Sequence, residues 1–295
     1  MSTLIIALAQ LNTLVGDIPG NTQKIIQFSQ RAVAESSADV IVFPELTLTG
    51  YPPEDLLLRP SLDLRIERAL NEIMAANLPL AILVGYPRRI DGALFNMAGV
   101  IQNGQLVAEY AKQCLPNYQV FDEKRYFTPG HRPCVFVLKG VMTAITICED
   151  VWFPEPMAQA RMVGAQLMLN LNASPYHQGK QSQREAVVAA RAREGGMPVV
   201  YVNLVGGQDE LVFDGGSVVV AANGETRFRA PAYAEDIFLA ELQLSQQGID
   251  VPEQALAPIA SNLESVYQAL VLGMRDYVNK NRFKGVVLGL SGGID

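Results

Sequence analysis

Short, uninterrupted apolar runs limit what this chain of 295 residues can fold into. Residues 4–9, 40–43 and 80–84 are rich in valine, isoleucine and leucine and lack alternating polar positions. Such strands must be covered on both faces, as in sheets that carry helices. Apolar residues at helical spacing predict helices near 21–36 and 62–76 between them. The chain therefore begins with a βαβαβ pattern.

The middle of the chain adds antiparallel pairing. Asn103-Gly104 lies between two apolar runs, which is the strongest short signal for a β-hairpin, and Asn223-Gly224 predicts a second turn. Further strands are predicted near 133–138, 141–147, 166–171, 198–205 and 216–221, with helices near 155–163 and 180–195. Parallel and antiparallel neighbours together predict an α/β fold: a four-layer α-β-β-α sandwich of two mixed sheets.

Composition changes after residue 243. Glycine, proline and polar residues punctuate 244–260, which we expect to be a linker after a domain at 1–243. A new unit, 261–295, is predicted to begin at Ser261, a plausible N-cap with Glu264 three residues later. Its helix is expected to end near residue 279, before a strand at 285–290.

Charge and cysteine content exclude several classes of protein. The net charge is −7 and no block of basic residues is present, which argues against nucleic-acid and anionic-membrane partners and favours a small molecule. The first apolar run is too short for a signal peptide or a membrane span. Three cysteines without C-x-x-C spacing predict neither a disulfide framework nor a zinc site. We expect a cytoplasmic protein with reduced thiols.

Three chemically active residues follow predicted strands: Cys148, Glu45 and Lys112. Taken singly, each has an ordinary explanation as a packed thiol, a loop carboxylate or a solvated charge. Together they supply what amide cleavage needs without histidine: a nucleophile, a base for its proton, and a cation for the thiolate and the tetrahedral oxygen. The chain has only His131 and His177, and neither lies in a segment of this character, although a Cys-His dyad stays open.

Longer motifs surround these residues. Phe43-Pro44-Glu45, Lys112 with Leu115-Pro116-Asn117-Tyr118, and Cys148-Glu149-Asp150-Val151-Trp152 resemble the nitrilase, or carbon-nitrogen hydrolase, superfamily. More narrowly, about residues 1–245 resemble the glutaminase domain of the glutamine-dependent NAD synthetases. The segments that carry this narrower resemblance are Leu48 to Leu56, Tyr118 to Phe127 and Asn172-Ala173-Ser174-Pro175.

The resemblance implies roles for further residues. It places Tyr118, Ser174 and Lys180 on the substrate glutamine, although Ser174 could instead cap a helix and Lys180 could be an exposed charge. It implies that Glu123 helps to position the catalytic groups, with an ordinary surface charge as the alternative. Additional pocket candidates are Tyr51, Glu149 and Trp152.

The C-terminal segment carries the last motif. The apolar run 286–290 leads into Ser291-Gly292-Gly293-Ile294-Asp295, whose small residues would let backbone N–H groups approach a pyrophosphate. It resembles the start of the pyrophosphate loop in the ATP-pyrophosphatase domain of NAD synthetases. That resemblance implies ATP, Mg²⁺ and nicotinic acid adenine dinucleotide as ligands. We expect 261–295 to be an incomplete synthetase domain, either part of a longer enzyme, which we favour, or completed by a partner.

The expected activity is glutamine hydrolysis through a thioester at Cys148, with Glu45 relaying protons and Lys112 and a backbone N–H near residue 149 holding the oxyanion. This step is expected to need no cofactor or metal, and the resemblance implies a homo-oligomer. The ammonia would serve ATP-dependent amidation of nicotinic acid adenine dinucleotide to NAD. Two alternatives are a stand-alone amidase for another small amide, against which the tail from Ser261 argues, and a non-catalytic scaffold, against which the complete triad argues.

Overall fold

Two mixed β-sheets form the centre of the computed structural model, which describes residues 2–290, 292 and 293. The first sheet has seven strands and is parallel in its middle and antiparallel towards both edges. In spatial order its strands are β15 (Gly248–Asp250), β14 (Asp236–Ser245), β1 (Ser2–Gln10), β2 (Val40–Val42), β3 (Ala81–Ile90), β4 (Ala93–Gln102) and β5 (Gln105–Ala111).

The second sheet has six strands, of which the central three run parallel. In spatial order they are β13 (Thr226–Arg229), β12 (Val218–Val220), β9 (Val199–Asn203), β8 (Leu167–Asn172), β7 (Val141–Ile147) and β6 (Val135–Leu138). A separate hairpin joins β10 (Val205–Gln208) to β11 (Leu211–Asp214). This hairpin follows β9 after a single residue.

Helices cover the outer face of each sheet. Apolar residues of α1 (Ile18–Ser36) and α2 (Leu62–Ala75) are buried with residues of the first sheet. Those of α3 (Pro154–Met162) and α4 (Lys180–Gly195) are buried with the second sheet. A third apolar cluster lies between the two sheets. The predicted four-layer α-β-β-α sandwich is therefore confirmed, and the continuous apolar strands are explained by burial on both faces.

The predicted hairpin at Asn103-Gly104 is also confirmed. These two residues alone separate β4 from β5, and their φ angles are +50° and +70°. Positive φ at both central positions is what a type I′ turn requires, and its twist matches the twist of the flanking strands. This turn fixes the register that places Lys112 directly after β5.

Helix α5 (Asn262–Lys280) lies against the β10–β11 hairpin. As predicted, Ser261 caps it, with the hydroxyl accepting from the Glu264 N–H at 3.3 Å. The helix approaches the hairpin so closely that a Cβ on Gly207 would lie 2.9 Å from the Gly273 Cα, so glycine is needed there. The opposite side of α5 exposes a row of apolar side chains: Leu263, Tyr267, Leu270, Met274 and Tyr277.

Two expectations for the C-terminal third differ from the structure. The stretch 244–260 is not simply an open linker, because β15 pairs with β14 and Val251 is buried. Residues 285–290 form no strand and are exposed. An extended segment needs a neighbouring strand for its N–H and C=O groups, and the described residues pair none with it. No helix in the described part of the chain combines the length and apolarity needed to cross a bilayer.

Candidate active site

Glu45 lies in a tight turn just after β2 and is 1% exposed. The turn packs directly on β3, where a Cβ on Gly85 would lie 2.4 Å from the Leu46 nitrogen, so only glycine admits it. Carboxylate Oε1 of Glu45 accepts from Asn96 Nδ2 and from Lys112 Nζ, each at 2.7 Å. Oε2 accepts from the Ala173 N–H at 3.1 Å. The base candidate is therefore buried and held in one orientation.

Lys112 follows β5 and is completely buried. Its backbone N–H donates to the Asn96 carbonyl. Its ammonium donates to Glu45 at 2.7 Å and to both carboxylate oxygens of Glu123 at 2.8 Å. Burial by itself lowers the pKa of a lysine, but here the charges of Glu123 and Glu45 outweigh it and raise the Lys112 pKa well above its ordinary value. The side chain is therefore a fixed cation.

Glu123 is a buried partner of the lysine, so its alternative interpretation as a surface charge is wrong. Its carboxylate also accepts from Tyr51 Oη at 2.9 Å. Burial raises the Glu123 pKa to about 7, against the lowering effect of the Lys112 ammonium, and the charge of Glu45 adds to the rise. Two carboxylates thus surround one ammonium in a site without bulk water.

Cys148 follows β7 directly and begins a short 3₁₀ turn, Cys148–Trp152. Its φ is +44°, a left-handed conformation that is uncommon for a residue with a side chain. Burial raises the pKa of the thiol well above its usual value, and the charge of Glu45 adds to this effect while that of Lys112 opposes it. The resting thiol is therefore neutral and needs a base before it can attack.

The mouth of the site carries charges of both signs. Tyr118 Oη donates to the Glu149 carboxylate at 2.9 Å, and the Lys180 ammonium lies 4.3 Å from the centre of the Trp152 ring. Lys180 is half-buried, so it is not simply an exposed charge. Burial lowers the pKa of Lys180 and raises that of Glu149. Tyr118 and Glu149 line a cavity of about 690 Å³, together with residues that include Cys114, Lys124 and Phe153.

Ser174 is buried and caps no helix; it lies between an arginine and an asparagine. Its Oγ accepts from Arg184 Nε at 3.2 Å, and its N–H donates to Asn203 Oδ1 at 2.9 Å. Arg184 also donates to the Ser174 carbonyl at 2.7 Å and pairs with Asp214 at 2.8 Å. This cluster fixes the loop after β8, whose Ala173 N–H binds Glu45.

Sequence reasoning missed three residues at the site: Asn96, Arg184 and Asp150. Asn96 and Arg184 lie on elements with no motif of their own, so only the folded chain brings them to Glu45 and Ser174. Asp150 lies within the Cys148 motif, and its buried carboxylate accepts four hydrogen bonds. A carboxylate between an apolar strand and a tryptophan was the available signal.

The nucleotide-binding prediction stays untested. Gly292 and Gly293 are exposed and lie in a bend, whereas Ser291 and Asp295 fall outside the described residues. Among the residues that are described, no three acidic, histidine or cysteine side chains come together to hold a metal ion.

Comparison with known proteins agrees with this geometry. Residues 5–248 match the family model for carbon-nitrogen hydrolases, and residues 266–295 match the model for NAD synthases. The chain belongs to the carbon-nitrogen hydrolase family.

A narrower resemblance, to the glutamine-dependent NAD synthetases, is found among individual proteins. The chain is 43% identical over 301 residues to the glutamine-dependent NAD(+) synthetase of Xanthomonas campestris pv. campestris (strain 8004), covering 99% of this chain and 53% of that protein. A structure of the glutamine-dependent NAD+ synthetase of Acinetobacter baumannii with ADP superposes with a TM-score of 0.94 and 40% identity, covering 99% of this chain and 55% of the other. The chain thus spans about half the length of these relatives. The resemblance recognised in the motifs is confirmed.

The fold is also shared with a shorter enzyme of the nitrilase superfamily, the amidase of Nesterenkonia sp. AN1. A variant of that amidase in which acrylamide has added to the active-site cysteine superposes with a TM-score of 0.73 and 28% identity. The match covers 82% of this chain and 93% of the amidase. The nitrilase type of the predicted sandwich is therefore confirmed.

Proposed function

We propose that this chain hydrolyses the side-chain amide of glutamine through a thioester at Cys148. The observation that carries the proposal is the buried contact of Lys112 with both Glu45 and Glu123, whose charges act on the buried, neutral Cys148 thiol. Burying a lysine between two carboxylates costs desolvation free energy, so such a cluster favours a functional role over a stabilising one. The acrylamide adduct in the Nesterenkonia amidase supports a nucleophilic cysteine in this fold.

The acylation half of the reaction uses Glu45 as the base. Its Oε2 accepts one hydrogen bond among the described residues, from Ala173, so it retains acceptor capacity for the thiol proton. As Cys148 Sγ bonds to the amide carbon, the proton passes to Glu45, and the C=O electron pair moves onto the oxygen. The same proton then goes to the leaving nitrogen, so ammonia departs and a thioester remains.

Lys112 stabilises the oxyanion of this step. An ammonium has three N–H bonds, and one of them can face the substrate when Glu123 shares a single N–H between its two oxygens. The backbone N–H of Glu149, in the first turn of the 3₁₀ segment, is the second donor. In the second half, Glu45 takes a proton from water, the hydroxide attacks the thioester carbon, and the thiol and glutamate are released.

The glutamine head group is recognised at the mouth. The α-ammonium binds the Glu149 carboxylate beside Tyr118, and the α-carboxylate binds Lys180, whose ammonium the Trp152 ring holds in place. We infer that Ser174 and Tyr51 also contribute to binding the glutamine. Opposite charges at fixed separation select an α-amino acid over a simple amide.

We infer that the ammonia serves the ATP- and Mg²⁺-dependent amidation of nicotinic acid adenine dinucleotide to NAD in an enzyme that contains a whole NAD synthase domain. The match of residues 266–295 to NAD synthases and the printed names of the relatives support this part. We further propose that the protein is a cytoplasmic homo-oligomer, that 1–243 is the glutaminase domain, and that 261–295 begins the synthetase domain. Ser291 to Asp295 would form part of its pyrophosphate loop.

The test compares Cys148→Ala with Cys114→Ala, because Cys114 is a second free thiol near the mouth. Each variant is incubated with glutamine and, separately, with a glutamine-like chloroketone, and ammonia and the labelled peptide are measured. We expect Cys148→Ala to lose both turnover and labelling while Cys114→Ala keeps them. Glutamine turnover that survives in Cys148→Ala would refute the assignment, and turnover only of other amides would favour the stand-alone amidase.

A further inference from the structure

The Asp150 carboxylate connects the two loops that carry Lys112 and Cys148. Oδ1 accepts from the backbone N–H of Gln113 at 3.1 Å and of Cys114 at 2.8 Å. Oδ2 accepts from the Ile147 N–H at 2.9 Å and from Tyr110 Oη at 2.8 Å. The side chain is 1% exposed, so water competes for none of these bonds.

These four donors flank the two reacting groups. Tyr110, Gln113 and Cys114 lie on either side of Lys112, and Ile147 immediately precedes Cys148. Strand β5, which leads to Lys112, belongs to the first sheet, whereas β7, which leads to Cys148, belongs to the second. Apolar contacts between the sheets are not directional, so they cannot by themselves fix the separation of an ammonium and a thiol. Hydrogen bonds that one carboxylate accepts from both loops can fix this separation.

Asp150 also holds the strained backbone of the nucleophile. The left-handed φ of Cys148 is a conformation that costs of order 1–3 kcal/mol and persists only when its surroundings enforce it. The bond from the Ile147 N–H to Asp150 closes the 3₁₀ turn around Cys148 from its N-terminal side. Only an ionised carboxylate can accept all four bonds, because a protonated one would present a hydrogen to one of the donors.

We propose that Asp150 is a positioning residue for the amide hydrolysis, which sets the separation between the Lys112 ammonium and the Cys148 thiol. The inference rests on the proposed function, but it makes a claim about geometry that can be tested without glutamine. Burial and the charges of Glu45, Glu149 and Glu123 raise the Cys148 pKa, and the Lys112 charge opposes them by lowering it. A change in the position of Lys112 therefore alters how readily the thiol ionises.

The experiment measures the rate of Cys148 alkylation by iodoacetamide against pH in the full 295-residue chain, with the modified peptide followed by mass spectrometry. Asp150→Asn keeps the shape of the side chain, but in either amide orientation its N–H₂ group faces two of the four donors. We expect its alkylation profile to move to higher pH, with the rate near neutral pH reduced about tenfold. For glutamine we expect kcat to fall about 100-fold, the size of effect that an error of 1 Å can produce, while KM changes less than about threefold.

A second variant keeps the test decisive if Asp150→Asn does not fold. Tyr110→Phe removes one of the four bonds, and Tyr86→Phe is its matched control, since Tyr86 is equally buried and donates to Glu109 at 2.7 Å on the other face of the same sheet. Tyr110→Phe should shift the alkylation profile in the same direction by a smaller amount, and Tyr86→Phe should not. An unchanged profile in folded Asp150→Asn, or in Tyr110→Phe if Asp150→Asn is unfolded, would overturn the proposal. If the profile of the variant shifts but the wild-type chain does not turn over glutamine, the positioning role of Asp150 stands and the proposed function is refuted.

Discussion

The Lys112 ammonium lies 2.8 Å from both carboxylate oxygens of Glu123, and both side chains are almost wholly buried from solvent. With Glu45 also bonded to the lysine, two negative charges surround one positive charge. Burial raises the pKa of Glu123, the Lys112 ammonium opposes this rise, and the nearby charge of Glu45 adds to it. The arrangement makes the pH dependence of the reaction predictable.

Glu123 should set the lower limb of the pH profile. Burial raises the pKa of Glu123 to about 7. The negative charge of Glu123 beside Lys112 is therefore present above that pH and is lost as the pH falls through it. We expect kcat/KM for glutamine to fall below about pH 7 in the wild type. Glu123→Gln, which copies the protonated form, should be about tenfold slower near pH 8 and lack this inflection, as expected for one charged hydrogen bond to the lysine. An inflection that persists in the variant would assign it to another group.

Lys180 should govern substrate affinity more than chemistry. Removing its ammonium with Lys180→Met leaves the glutamine α-carboxylate without its partner, so KM should rise about tenfold or more while kcat changes little, since a charged hydrogen bond is worth about 1.5–3 kcal/mol. Lys124→Met is the matched control, because Lys124 lines the neighbouring cavity without a contact to Trp152. Equal KM values for the two variants would contradict the assigned role.

The Arg184–Asp214 pair should contribute strongly to stability. Both side chains are buried, and Asp214→Asn leaves the arginine charge without its counterion. Breaking a buried pair on one side costs about 3–5 kcal/mol, whereas the half-exposed Lys139–Asp39 pair is worth about 0–1 kcal/mol. Urea unfolding of Asp214→Asn and Lys139→Met should reproduce this difference. Similar midpoints would mean that water reaches Arg184.

Helix α5 should depend on Asp276 for its docking. This buried carboxylate accepts from Asn12 Nδ2 and from the Gly207 N–H, each at 2.7 Å. Asp276→Ala leaves both donors unpaired, at about 1–3 kcal/mol, so amide exchange in α5 should accelerate tenfold or more. Leu270→Ala, on the exposed side of the same helix, should leave exchange unchanged. Identical exchange in both variants would show that Asp276 does not anchor the helix.

Local sequence signals were sufficient for much of this fold. Continuous apolar strands, helical spacing and the Asn103-Gly104 turn predicted both sheets and their four layers. They were insufficient for β14 and for the β10–β11 hairpin, whose residues are held by pairing with distant strands or by α5 rather than by a local pattern. The run 285–290 shows the converse, because its strong strand propensity is not realised without a neighbouring strand.

The site divides in the same way. Glu45, Lys112 and Cys148 could be predicted as site residues because each follows a strand within a distinctive motif. Asn96 and Arg184 could not be predicted, because only the folded chain brings them into hydrogen-bonding contact with Glu45 and Ser174. The burial of Glu123 was equally hidden, because its neighbours Asp122, Lys124 and Arg125 are all charged and only the folded loop turns it inward.

The most direct test of the account is a search for the thioester itself. The chain is mixed with glutamine, quenched rapidly in acid and digested, and the peptide that contains Cys148 is examined by mass spectrometry. We predict an adduct with the mass of glutamine less ammonia on Cys148 in the wild type and in Cys114→Ala, with none in Cys148→Ala. Ammonia release without an adduct on Cys148, at the same rate in Cys148→Ala, would contradict the central claim.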